Sequence, residues 1–120
     1  MGAYIDGFVI PIAKKRLPAY RKMALIGAKV WKKHGALEYF ECVGDVLDPA
    51  FTGGKFPIMT KTKKGETVIF SFIVFKSRKH RDSVNAKVMK DPIMNETPIT
   101  AMPFDMKRMS YGGFKTIIAR

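Results

Sequence analysis

A carboxylate stands in the middle of an apolar strand pattern near the start of the chain. Asp6 lies in AYIDGFVI, residues 3–10, with Tyr4 and Phe8 as its neighbours on the same side of an alternating segment. A carboxylate on an inward face has to be hydrogen-bonded, paired or protonated. Asp6 is therefore a candidate general base or polar anchor for a ligand, the alternative being a buried ion pair that fixes packing. Glu41 repeats the pattern in ALEYFECVG, residues 36–44, where it shares a side with Leu37 and Tyr39. Its alternative is an edge carboxylate that reaches water or a lysine. A cation that could serve both acids comes from RKHRDSVNAKVMK, residues 78–90. There Arg81 and Asn85, four apart on a helix, could hold a carboxylate or phosphate. The alternative for Arg81 is pairing with Asp82, Asp91 or Asp105.

His34 follows Trp31 by one helical turn and is a candidate acid/base group. Otherwise it is a last-turn histidine favoured by the helix dipole. MPFDMKRMSYGGF, residues 102–114, adds Asp105 and Tyr111 as candidate ligand-binding groups. Asp105 can equally accept backbone hydrogen bonds where the chain enters a strand. Gly112-Gly113 reads as a bulge or a close backbone approach, and Lys107 and Arg108 fall on opposite faces of a strand. Cys42, the one cysteine, is expected to be buried as a small hydrophobe. No disulfide can form within one chain, and with two distant histidines no metal site is expected. No cofactor motif is present, so no cofactor is expected.

The elements that would carry these residues follow from periodicity. Residues 3–10 read as a strand ended by Pro11. A helix runs from about 15 to 34 with Leu17, Tyr20, Ala24, Gly27, Trp31 and His34 on one stripe, Pro18 in its first turn and Gly35 after its end. Residues 36–44 are a strand and 45–57 a loop. MTKTKKGETV either continues an edge or turns at Lys64-Gly65. Residues 67–75, TVIFSFIVF, are apolar on both faces apart from Ser71, which marks a strand covered on both sides. Ser77 caps a helix over 78–90 that buries Val84 and Val88 and stops at Asp91-Pro92. Residues 93–103 cross irregularly, and a last strand spans about 106–118.

Strand, helix, strand, strand, helix, strand over residues 1–120 predicts a single α+β domain, a ferredoxin-like βαββαβ sandwich with the first and third strands central. Right-handed crossovers place both helices on one sheet face. The other face of VIFSFIVF then needs a cover, and a second copy of the chain is the simplest one. A homodimer is expected on that ground alone.

Composition limits the function classes. Hydrophobic residues make up 47% of the 120, so the chain is not a disordered tail. No apolar run reaches membrane-spanning length. The first apolar run precedes the positive charges, against a secretory signal, and Asp6 stands where a myristoylation signal wants Ser or Thr. A cytoplasmic protein without membrane partners is expected. Lys and Arg number 22 against 10 Asp and Glu, a net charge of +12. That favours polyanions, yet no RRM, KH or zinc-finger motif accompanies it.

YIDGFVIP, AYRKM, HGALEYFECVGD, ETVIFSFIVFKSRKHRDSVNAKVMKDPIM and MPFDMKRMSYGGF together resemble the uncharacterised bacterial YbaA-like family, DUF1428. The resemblance implies a dimeric α+β barrel, in which a ferredoxin-like protomer packs its sheet against its partner's. It implies no settled activity. The wider superfamily suggests cofactor-independent monooxygenase-like or isomerase-like chemistry, or a stress-related dimer without ligand. The leading expectation is a homodimer binding a small molecule between sheet and helices, through Asp6, Glu41, Arg81, Asn85 and Asp105, with His34 and Tyr111 behind them. The alternative is a basic dimer that binds RNA or other nucleic acid.

Overall fold

Alternation decides which side chains the central strands bury, and the connections decide which face is covered. A computed structural model describes residues 2–96 and 101–120. Its elements run β1 (Tyr4–Ala13), α1 (Leu17–Lys33), β2 (Glu38–Val43), a short α2 (Phe56–Met59), β3 (Glu66–Phe75), α3 (Arg78–Lys90) and β4 (Ser110–Lys115). The strands make a mixed α+β structure with a four-stranded antiparallel sheet in the order β2-β3-β1-β4. The first and third strands are central, as their apolar character requires.

One face of the sheet carries the core. Phe8, Ile10 and Ile12 of β1 and Ile69, Ile73 and Phe75 of β3 meet Tyr20, Ala24 and Val30 of α1 and Val84 and Val88 of α3. Phe75, Val84, Val88 and Ile12 are fully buried. Asp6 and Ser71 lie on the same face, deep in the sheet. The opposite face is covered at the end where Pro11 pairs with Val68 and bare across the rest. Phe40 stacks on Phe72 with ring centroids 4.8 Å apart, and Phe70 tilts against Phe72 at 5.9 Å. Phe40 and Phe70 are each 44% exposed and Phe114 is 60% exposed. Phe56 of α2 leans on Phe70 at the margin of this face.

Local signals set the helix ends. Pro18 sits in the first turn of α1, where its missing N–H costs nothing. Gly35, at φ +117°, closes α1: the Gly35 N–H donates to Lys32 O and the Ala36 N–H to Trp31 O, a Schellman ending. The Ser77 hydroxyl accepts from the His80 N–H at 3.1 Å and starts α3. Asp91 ends it and accepts from the Ile93 N–H at 3.0 Å.

Tertiary context overrides the sequence reading at several places. Pro11 does not end β1, which continues to Ala13. β4 pairs with β1 only as far as Val9, so Pro11 faces no neighbour that needs its N–H. Residues 56–59 form a helical turn rather than an edge, and the chain turns again at Gly65, φ +83°. The last strand starts at Ser110, because Met106–Arg108 form a 3₁₀ turn capped by Asp105. Lys107 and Arg108 therefore do not alternate on a strand. Gly112 and Gly113 pair in unbroken register with Gly7 and Asp6, without a bulge. At Gly113 the reason for glycine is room, since a Cβ there would collide with the Tyr4 ring and hydroxyl. Cys42 is exposed on the bare face, not buried. The expected crossing over 93–103 includes residues 97–100, which lie outside the described residues.

No described helix is long and apolar enough to cross a membrane. Phe75→Ala should cost about 3–5 kcal/mol in urea unfolding, as a fully buried aromatic does. Ile26→Ala, on the exposed side of α1, should cost less than about 0.5 kcal/mol.

Candidate functional site

Two inward carboxylates organise the polar groups between the sheet and the helices. They do not meet: Asp6 is on β1, Glu41 on β2, and β3 lies between them. All four tyrosine hydroxyls of the chain serve one or other of these two centres.

The first centre assembles Asp6, Arg81, Asn85 and Tyr111. Asp6 is 1% exposed. Its Oδ2 accepts from Asn85 Nδ2 at 3.2 Å, and Arg81 Nη1 lies 3.4 Å from Oδ1. Asn85 Oδ1 in turn accepts from Trp31 Nε1 at 3.0 Å. Arg81 donates to the Tyr111 hydroxyl at 2.8 Å and to the Tyr4 hydroxyl at 3.2 Å, with its guanidinium 4.9 Å from the Tyr4 ring centroid. Asp82 Oδ1 sits 3.0 Å from Arg81 Nε. The Tyr111 ring stacks on Phe8. Burial, then the nearby Asp6 charge, pushes the Tyr111 phenol up, so it stays protonated across the physiological range. The helix positions explain the grouping. Arg81 and Asn85 are one turn apart beside the buried Val84/Val88 stripe, which places both over β1.

The second centre holds Glu41 between two tyrosines. Its Oε1 accepts from the Tyr20 hydroxyl at 2.6 Å and its Oε2 from the Tyr39 hydroxyl at 2.7 Å. Burial first, and the Glu41 charge second, push both phenols well above their ordinary range, so each remains a hydrogen-bond donor. Gly27 of α1 gives Tyr39 space, since a Cβ there would approach its hydroxyl to 3.2 Å. Glu41 lies in the wall of a cleft of about 460 Å³ between α1 and β2, whose other walls include Leu17, Ala24, Ala28, Val43 and Ile69. The lining is mainly aliphatic and aromatic. Tyr20, Arg21, Tyr39 and Cys42 add the other polar groups of the lining.

The remaining candidates stand apart from both centres. His34 ends α1, and its Nε2 is 2.8 Å from Asp91 Oδ2. Lys33 Nζ donates to the same oxygen at 3.2 Å. This cluster ties the ends of α1 and α3 together. Hydrogen bonding to His34 and to the Ile93 N–H holds the Asp91 carboxyl down to about 2. Asp105 is exposed and accepts from the Lys107 N–H at 2.9 Å, a capping role. Beside it Arg108 grips Glu66 at 2.7 and 2.8 Å with two nitrogens, which holds that carboxyl down to about 2. Among the described residues no three His, Cys, Asp or Glu side chains gather as metal ligands.

Sequence reasoning passed over Tyr4, Tyr20, Trp31 and Tyr39 as site residues. The signal available was chemical. A Tyr or Trp on an inward stripe needs a partner for its O–H or N–H, and Asp6, Glu41 and Asn85 are the inward acceptors.

The sheet with two helices on one face, and its two tyrosine-bound charge centres, define a class of small α+β protein. Residues 3–106 match the family described as "Protein of unknown function (DUF1428)", and the chain belongs to that family. It is also 44% identical over 116 residues to the "Uncharacterized protein YbaA" of Escherichia coli strain K12, covering 96% of this chain and 97% of that one. The protein of the same description from Shigella flexneri shows the same identity and coverage.

Two outcomes are expected. Asp6→Asn should destabilise the fold by about 3–5 kcal/mol, because Arg81 loses its buried counter-charge. Asp6→Asn with Arg81→Met should then cost less than the two single changes added together in urea unfolding. The depressed Asp91 and Glu66 carboxyls, moved from 3.8 and 4.5 to about 2, give stability that is fully present well above pH 4.5. It falls away as acid protonates them between their unfolded and folded values. Asp91→Asn with Glu66→Gln should flatten the acid limb of a melting-temperature-against-pH curve.

Proposed function

We propose that the protein is a homodimer that binds a small, largely apolar molecule in the α1–β2 cleft of each protomer. The ligand would carry one hydrogen-bond donor, a hydroxyl or an amine, directed at Glu41. The observation that carries this reading is the Tyr20–Glu41–Tyr39 arrangement set in an otherwise apolar cleft. A site of this composition offers area for an apolar body and one fixed acceptor for orientation. The two tyrosines fix the carboxylate rotamer, and each Glu41 oxygen keeps a second lone pair for a ligand.

The dimer rests on the bare sheet face. The strand order β2-β3-β1-β4, with both crossovers on one side, supports reading the protomer as ferredoxin-like. Its outer face presents Phe40, Phe70, Phe72 and Phe114 in one surface. A contiguous apolar patch on a sheet marks an interaction surface, and an identical face is its natural complement. Two such faces pressed together make the α+β barrel. The clefts and helices then lie on the outside of the pair, so ligand entry does not depend on opening the dimer.

Should a reaction occur, Glu41 is the group placed to take a proton from the bound donor, with Tyr20 and Tyr39 stabilising the carboxylate between turnovers. Asp6 and Arg81 act in this reading as the internal pair that sets α3 on the sheet.

N-phenylnaphthylamine, an apolar fluorophore with a single N–H donor, tests the cleft. Its emission should rise on binding with a saturable curve, and Glu41→Leu should weaken that binding by about tenfold, the loss of about one hydrogen bond. Ala28→Phe, which fills the cleft, should abolish it while the circular dichroism spectrum stays unchanged. Equal binding by wild type and both variants would contradict the proposed site.

A further inference from the structure

The positive charge is not spread over this molecule. Residues 14–33 and 78–90 hold 13 of the 22 Lys and Arg and one of the ten Asp and Glu, while the remaining residues hold nine of each. The whole net charge of +12 therefore belongs to α1, the turn that leads into it, and α3. These helices pack side by side on one face of the sheet. α1 contains no acidic residue at all.

Helical geometry aims this charge outward. Around α1 the buried residues Tyr20, Ala24 and Gly27 and the half-buried Trp31 occupy one side, and Lys22, Ile26, Lys29 and Lys33 fall on the opposite side. Around α3 the buried pair Val84 and Val88 is opposed by Lys79, Ser83, Ala86 and Lys90. Arg81 is the basic residue turned inward, where it pairs with Asp6 at 3.4 Å and donates to the Tyr111 and Tyr4 hydroxyls. Lys33 and Asp91 make one ion pair at the helix ends. The other exposed lysines of the two helices have no carboxylate within ion-pair distance among the described residues.

We infer that the outer surface of the α1–α3 layer binds a nucleic-acid duplex through its phosphate backbone. Two features select this occupant. The lysine stripes extend along each helix for roughly 16 Å at ~1.5 Å per residue, and a duplex offers a phosphate every ~1.7 Å of axis counted over both strands. The exposed residues of α1 and α3 include no aromatic side chain, so the layer lacks the stacking platforms that single-stranded chains require. Binding is therefore electrostatic, sequence-tolerant and independent of the cleft, whose carboxylate would repel phosphate.

The test is fluorescence anisotropy of a labelled mixed-sequence duplex with the full-length chain, between about 50 and about 200 mM salt. The expected result is binding that weakens with salt at a log–log slope of about −4 or steeper, corresponding to roughly four or more neutralised phosphates. Lys22→Glu, Lys29→Glu and Lys90→Glu in one chain should lower affinity by at least about tenfold. Lys64→Glu, Lys76→Glu and Lys107→Glu, with the same change in net charge, should lower it by less than about threefold. All six positions are exposed, and circular dichroism checks that both triple variants fold. Equal losses from the two triple variants would overturn the inference, since net charge alone would then account for binding. Absence of duplex binding at about 150 mM salt would overturn it as well, and so would binding to anionic phosphatidylserine vesicles without binding to the duplex.

Discussion

The connections β1–α1–β2 and β3–α3–β4 both carry their helix across the same face of the sheet, because a right-twisted strand followed by a right-handed crossover returns only on that side. Every strand therefore has an inner and an outer face with different demands. The inner face must accept two helices, so β1 and β3 place Ile10, Ile12, Ile73 and Phe75 there. The outer face meets only the short α2 at its margin. Yet it is still apolar, with Phe40, Phe70, Phe72 and Phe114 where a sheet facing water would alternate to polar residues. The helices in turn have only one side to bury, and the chain's excess of positive charge lies on them and on the turn that leads into α1, with Arg81 the one cation turned inward.

The same layering explains where polar chemistry survives inside. Asp6 is buried in the sheet, so it needs a cation and a donor from above, and α3 supplies Arg81 and Asn85 one turn apart. Trp31 of α1 then binds Asn85, which links both helices to one strand. Removing the charge from either end of the Asp6–Arg81 pair leaves its partner stranded in low dielectric. Glu41 differs because β2 is an edge strand. Its carboxylate is held by neutral phenols rather than by a cation, and it borders an open cleft. Asp6 is enclosed, with its Oδ1 facing Arg81 at 3.4 Å and no hydrogen-bond partner for that oxygen among the described residues, while Glu41 borders an open cleft from which a ligand can reach it. That contrast is why the ligand reading rests on Glu41.

Much of this architecture is legible from local sequence. Ser77, Val84, Val88 and Asp91-Pro92 define α3 within its own residues, and Pro18 and Gly35 bracket α1 in the same way. The alternation around Asp6 and Glu41 already turns both acids inward. What sequence does not display is any feature set by a distant neighbour. Pro11 stays in β1 only because β4 stops pairing at Val9. Gly113 is glycine because Tyr4, more than a hundred residues earlier, occupies the space beside it. Met106–Arg108 leave the strand because Asp105 caps a turn and Arg108 is drawn to Glu66. His34 finds Asp91, and Glu41 finds Tyr20, through the packing of α1 against the sheet and α3, which no spacing reveals. Arg81 had several acids to choose from in sequence; Asp6 is the buried one the fold brings beneath it.

In the proposed homodimer a second copy of the chain covers the bare sheet face. Light scattering on the protein as it elutes from a sizing column tests it most directly, with Phe70→Lys measured alongside. The account predicts a wild-type mass twice the 13.5 kDa of one chain. It also predicts that Phe70→Lys, in the middle of that face, runs as a single chain with its helical circular dichroism intact. A wild-type protein that runs as a stable single chain would contradict the account, and so would a dimer that Phe70→Lys leaves undisturbed.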